Sequence, residues 1–233
     1  MRFFVNYRIV MQLHIQQLNI TVPNQEKPLL SIPDFQLNSG EHLAILGPSG
    51  SGKTTLLNAI TGLIPVSPNQ VLWDNTDIHQ LSASQCDNWR FAHIGLIMQN
   101  FHLTTGLTAL ENVLLPYSFR HWTIPTAVKQ RAYALLEKMD FLAPDRLVES
   151  LSRGEMQRVA IARALLSKPK VIIADEPTAS LDQKNGQIIT ALLKDLATQE
   201  KCSLLVATHD LRLADSLALR IYLQDGQIQY KDD

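Results

Sequence analysis

Cysteine is nearly absent: Cys86 and Cys202 are the only two in 233 residues. They are far apart and outside any metal-ligand spacing, which argues against a disulfide framework and a cysteine-based zinc site. Such sparse use suits a reducing cytosol. An excess of one charge is missing too, with Lys and Arg numbering 21 against 22 Asp and Glu. That balance supplies no overall basic field for neutralising phosphates, so no nucleic-acid partner is expected. No run approaches the roughly 20 apolar residues that span a bilayer. The opening MRFFVNYRIV lacks both the sustained apolar segment and the small-residue cleavage site of a secretory signal. A membrane anchor within the chain is therefore not expected, and neither a repeat nor a low-complexity tract interrupts it.

What is present can build an extensive core, since 45% of the residues are hydrophobic. Alternating apolar residues at Leu13, Ile15, Leu18 and Ile20, and again over Leu29 to Leu37, predict strands of an antiparallel β layer. His42 to Leu46 reads as a short buried strand, Gly47 to Gly52 as a loop, and Lys53 to Ile60 as a helix. From about Trp89 to Ser167 the pattern turns helical, with Ala127, Val128, Ala132, Leu135, Leu136 and Met139 on one face and a second helix over Glu155 to Leu166. Val171 to Ala174 and Ser203 to Ala207 are short apolar runs flanking a helical stretch from Gly186 to Ala197, the βαβ rhythm of a parallel sheet. Asp225-Gly226 reads as a hairpin turn.

The expected fold is thus α/β: a mainly parallel sheet, an N-terminal antiparallel β layer and an inserted helical subdomain. One domain spans 13–233, with 13–88 and 168–233 as the core and 89–167 as the subdomain. Residues 1–12 read as an extension, and Met11 as an alternative translation start, because the patterned sequence begins at Leu13.

The strand, loop and helix around Gly47 give the context for a phosphate-binding loop. In GPSGSGKT the small residues Gly47, Pro48, Ser49, Gly50, Ser51 and Gly52 let backbone N–H groups approach phosphate oxygens at the positive end of the following helix. Lys53 is placed to reach the β and γ phosphates, Thr54 to put its hydroxyl on Mg²⁺, and Thr55 to touch the α-phosphate end. In VIIADEP, four apolar or small residues end in two acids, so a buried strand delivers Asp175 and Glu176 at its carboxyl end, where ligands sit in open α/β sheets. Asp175 is the candidate Mg²⁺ ligand, and Glu176 the candidate base that polarises water. In LSRGE, Ser152 and Glu155 have the spacing of a helix capping box, which leaves a helix N-terminus able to receive an anion.

Together these segments resemble the ATP-binding cassette (ABC) ATPases, in family order from Leu13 onward. The resemblance implies that ATP and Mg²⁺ bind the phosphate loop. It implies that Gln99, in IMQNF, is the Q-loop glutamine touching Mg²⁺ and the water site, and that His209, in VATHD, is the switch histidine at the γ-phosphate. Ser152, Arg153, Gly154 and Glu155 match the signature, which in the family faces nucleotide held by a second subunit; Arg153 departs from the usual glycine. SLD, Ser180 to Asp182, matches the D-loop. The adenine-stacking aromatic of the family falls on Val22, so no adenine contact is assigned.

By the same resemblance the working unit is a head-to-tail homodimer that closes on two ATP and drives separate membrane permease subunits from the cytoplasmic face of the inner membrane. Phe101, Leu103, Leu107, Leu110, Val113 and Leu114 fall where the family's groove receives a permease helix. The chain ends soon after its hairpin, leaving no length for the regulatory domain of some importers. With the NVLLP segment, this is most similar to the lipoprotein-release and macrolide-export branch. An ATP-dependent regulatory or mechanotransmission module of a membrane or cell-division complex would use the same catalytic residues. A soluble cassette acting on nucleic acid or ribosomes fits less well, for want of a second cassette, long insertions or a basic surface.

Overall fold

A computed structural model describes residues 11–22 and 27–229. The first ten residues, 23–26 and the last four fall outside the described part. A four-stranded antiparallel layer has the order β2-β1-β4-β5, built from β1 (Leu13–Ile20), β2 (Leu30–Leu37), β4 (Val71–Trp73) and β5 (Thr76–Asp77). The main sheet has six strands in the order β10-β9-β3-β8-β7-β6. It comprises β3 (His42–Leu46), β6 (Ile94–Ile97), β7 (Val171–Asp175), β8 (Ser203–Thr208), β9 (Leu219–Gln224) and β10 (Gln227–Gln229). All its pairings are parallel except the β9-β10 hairpin, which turns at Asp225-Gly226.

The central strands β3, β6, β7 and β8 are mostly apolar because both their faces are covered, as parallel sheets require, whereas the outer β9 exposes Arg220 and Gln224. Side chains alternate along each strand: Leu43, Ile45, Val171, Ile173, Leu205 and Ala207 pack toward α1 (Lys53–Ile60) and the antiparallel layer. Ala44, Leu46, Ile172, Ala174, Leu204 and Val206 join the opposite core with α3 (Ala109–Ser118), α4 (Thr126–Lys138), α5 (Arg153–Leu165) and α6 (Gln183–Glu200). Trp73 fastens the antiparallel layer to the phosphate-loop helix: it is fully buried, and its indole N–H donates to the Ile60 carbonyl at 2.7 Å.

Two sequence boundaries need correction. After α2 (Ala83–His93), the run IGLI forms β6 and pairs with β7 in the main sheet, so the helical subdomain starts beyond Ile97 rather than at Trp89. Four apolar residues between helical stretches carry too little periodicity to distinguish strand from helix. Upstream, Met11 is buried in the core and the Gln12 N–H donates to Asp74 at 2.9 Å, so the fold begins before Leu13.

Gly95 sets the seat of α5 on this sheet. A Cβ there would stand 2.6 Å from the Ala164 carbonyl oxygen and 2.9 Å from the Pro169 ring, a spacing only hydrogen fits. The close approach seats the last turn of α5 against the strand that leads to Gln99.

Candidate active site

Four neighbouring parallel strands end on one side of the sheet, and each delivers part of the site. β3 runs into the phosphate loop, β8 into His209, β7 into Asp175 and Glu176, and β6 into Gln99. This is the carboxyl edge where open α/β sheets place ligands. A cavity of about 610 Å³ opens there, lined by Ser49, Gly50, Gly52, Lys53, Thr54, Thr55, Gln99, Asp175, Glu176 and His209, with Leu29.

The phosphate loop is folded tightly enough that its first glycine is obligatory: a Cβ on Gly47 would lie 2.2 Å from the Leu223 carbonyl oxygen. Lys53, the first residue of α1, is buried, and its ammonium donates to the Gly47 and Pro48 carbonyls at 2.7 and 3.0 Å. Its charge thus lies inside the loop's curve, 3.8 Å from Glu176 Oε1. Ser51 is buried and its hydroxyl has no partner among the described residues, as expected of a polar atom built to meet a ligand.

Asp175 is buried, and Thr54 donates a 2.7 Å hydrogen bond to its Oδ2. Its other oxygen is buried without a partner. Burial, above all, pushes this carboxyl above the ordinary aspartate range; nearby Glu176 raises it further, while Thr54 and Lys53 pull it down. Glu176 next to it adopts a left-handed backbone, φ +47, rare for a residue with a side chain, and its N–H is held by the Ala207 carbonyl at 2.8 Å. That bend points its carboxylate at His209, whose Nδ1 lies 2.9 Å from Oε2 and whose backbone N–H donates to the same oxygen at 3.3 Å. The His209 side chain is itself largely exposed, at 67%. The cluster therefore pairs a positioned carboxylate with an imidazole and a buried ammonium around a cavity lined by the glycine-rich loop.

LSRGE does not share this cavity. Ser152, Arg153, Gly154 and Glu155 line a separate hollow of about 450 Å³ with Arg158, Ser180, Leu181, Asp182 and Asn185. The capping box is formed: Ser152 accepts from the Glu155 N–H at 3.3 Å, and the Glu155 carboxylate accepts from the Ser152 N–H at 2.7 Å. That backbone bond, chiefly, holds the Glu155 carboxyl below the usual range, with an ion pair to Arg146 at 2.6 Å assisting.

Val22 is partly exposed and lines neither cavity. The apolar set after Gln99 divides: Phe101, Val113 and Leu114 are buried, and Leu103 and Leu110 pack partly buried against the helical core. The neighbouring open groove, about 430 Å³, is lined instead by Phe91, Leu96, Pro116, Phe119, Arg120 and Arg163, among others. Not singled out in the sequence are Leu29, which lines the phosphate-loop cavity, and Asn185, which lines the hollow of the signature. Leu29 carries no chemical signal, whereas Asn185, three residues past Asp182 and hydrogen-bonded to it, has the spacing of a helix cap that could have drawn notice.

With the geometry in place, similarity to known proteins is informative. The family model described as ABC transporter matches residues 30–179. The lipoprotein-releasing system ATP-binding protein LolD of Shewanella oneidensis is 40% identical over 202 residues, covering 86% of this chain and 87% of the relative. The uncharacterized ABC transporter ATP-binding protein MJ0796 of Methanocaldococcus jannaschii is 35% identical over 226 residues, covering 94% and 96%. A dimeric structure of MJ0796 in a post-hydrolysis state, bound to ADP and Pi, superposes with a TM-score of 0.84 at 35% identity, covering 95% of this chain and 98% of that one. The cassette cbiO1 of Clostridium perfringens, part of a cbiONQ transporter complex, gives a TM-score of 0.81 at 26% identity, with 95% and 87% covered.

Proposed function

Since this chain belongs to the ABC transporter family of ATP-binding cassettes, we propose that it is the ATP-hydrolysing subunit of a membrane transport complex, of the lipoprotein-release or related export type. The observation that carries this is the convergence of Lys53, Thr54, Gln99, Asp175, Glu176 and His209 on one cavity, with the signature turn facing another. The likeness to LolD over most of both chains supports the finer assignment.

In this reading the phosphate loop and Lys53 hold the β and γ phosphates, Glu176 orients and deprotonates the attacking water, and His209 braces Glu176 and meets the γ-phosphate. Thr54, Asp175 and Gln99 would hold Mg²⁺; all are oxygen donors suited to a hard cation, and the unpartnered Asp175 oxygen fits that use. Held by these residues, Mg²⁺ would supply positive charge to offset that of the phosphates. As the family resemblance implies, the complete site takes the phosphate loop of one copy and the signature of another; the lining of separate hollows by Ser152 to Glu155 and by the phosphate loop, and the dimeric form of the related MJ0796, support this. ATP joins the two copies, and hydrolysis lets them part.

Among the described residues no helix is long and apolar enough to cross a membrane. Transport therefore draws on separate permease subunits, which hold this subunit at the cytoplasmic face. Lys53→Ala is expected to abolish ATP turnover, measured as phosphate release. Turnover equal to wild type would overturn the assignment of the site. Capture of membrane proteins on the tagged chain, followed by mass spectrometry, is expected to recover an integral permease with a large extracytoplasmic domain.

A further inference from the structure

Arg153 opens α5. A cation at this end of a helix opposes the macrodipole and the free N–H groups of the first turn, so the residue is locally unfavourable. Its compensation lies in a distant segment: the guanidinium sits 5.4 Å from the centroid of the Phe101 ring, within cation–π range. Phe101 is buried and follows Gln99 by two positions.

The backbone at that point is strained. Phe101 and His102 are consecutive non-glycine residues in left-handed conformation, φ +57 and +47. Such a bend persists only where its surroundings hold it. The Phe101 N–H donates to the Met98 carbonyl at 3.0 Å. Arg163, from the last turn of α5, donates to the Phe101 carbonyl and, at 2.5 Å, to the His102 carbonyl. One helix thus grips the bend twice: by two carbonyls near its end, and by the ring face at its start.

We propose that Arg153 is a positioning residue that ties the signature end of α5 to the Gln99 bend through the face of Phe101, so that both shift as one body. The role rests on the ATPase reading above, in which Gln99 serves the phosphate cavity and the signature serves a second subunit. It also gives the arginine a purpose within its own chain, distinct from reaching a partner's phosphate.

The test uses the full chain, with amide hydrogen exchange over residues 99–104 and steady-state ATP turnover measured on the same variants. Arg153→Gln is expected to speed exchange at Phe101 and His102 about 2- to 5-fold, the scale of an exposed cation–π contact. It should lower kcat while leaving KM for ATP nearly unchanged, because the Gln99 loop is misplaced while the nucleotide still binds. Phe101→Leu should do the same, the double variant should be no worse than either single one, and Arg153→Lys should recover part of both effects. Unchanged exchange in Arg153→Gln, or effects that multiply in the double variant, would overturn the tether. A raised KM with unchanged exchange would overturn it in favour of a contact to the partner's nucleotide. If Phe101→Leu melts at room temperature, comparison of Arg153→Gln with Arg153→Lys still decides. Wild-type protein that turns over no ATP would sink the ATPase reading, whereas the exchange readout judges the tether regardless.

Discussion

At the scale of residues, Asp175 and Glu176 are adjacent yet held in different environments. Asp175 ends a fully buried strand and leans on Thr54; Glu176 turns out through a left-handed bend to meet His209 and Lys53. Burial favours the neutral form of Asp175, so its folded pKa stands above the unfolded one. The native state then keeps a proton that the unfolded chain has released. Its stability is full below the unfolded value of about 3.9 and falls as pH rises through the window up to the raised folded value. In nucleotide-free, Mg²⁺-free protein, Asp175→Asn should remove this penalty while keeping an oxygen for Thr54 to bond. The urea midpoint of the variant is expected to gain on wild type as pH increases through that window; a constant difference would contradict the assignment. The meeting of Lys53, Thr54, Asp175 and Glu176 at one cavity was legible in the sequence because a glycine-rich loop between a strand and a helix, and two acids ending a buried strand, place them at the same edge of the sheet. The stacking of Arg153 on Phe101 was not, since it joins segments that only the tertiary fold brings together.

Elements tell a similar story. The first strands, the phosphate-loop helix and the βαβ rhythm of the last third followed from apolar alternation and glycine punctuation, and the structure places them within a few residues of the expected bounds. β6 did not, because IGLI is too short and too uniformly apolar to carry a period. It is nonetheless the element that brings Gln99 to the cavity, and its Gly95 lets α5 lie close. Gly95→Ala should force α5 away from the strand, with a cost of about 1–3 kcal/mol typical of overpacking. A lowered urea midpoint at unchanged slope would verify this, and an unaltered midpoint would refute the packing argument. The capping box of LSRGE was readable from spacing alone, and both of its hydrogen bonds are formed.

Over the whole molecule, two cores on opposite faces of one sheet explain how a chain of this size fixes four strand ends in register. The sequence made the order of elements legible. It did not show that the signature and the phosphate loop open into separate cavities, because their placement depends on how the helical subdomain packs on β6 and β7. That separation accords with the central proposal, a site completed by a second copy, which rests on the family to which the chain belongs. The most direct measurement is the mass in solution of Glu176→Gln, which keeps the phosphate loop but lacks the carboxylate proposed to activate water. With saturating MgATP the account predicts twice the chain mass of 26.1 kDa, returning to a single chain when nucleotide is removed. A single-chain mass at saturating MgATP would contradict it.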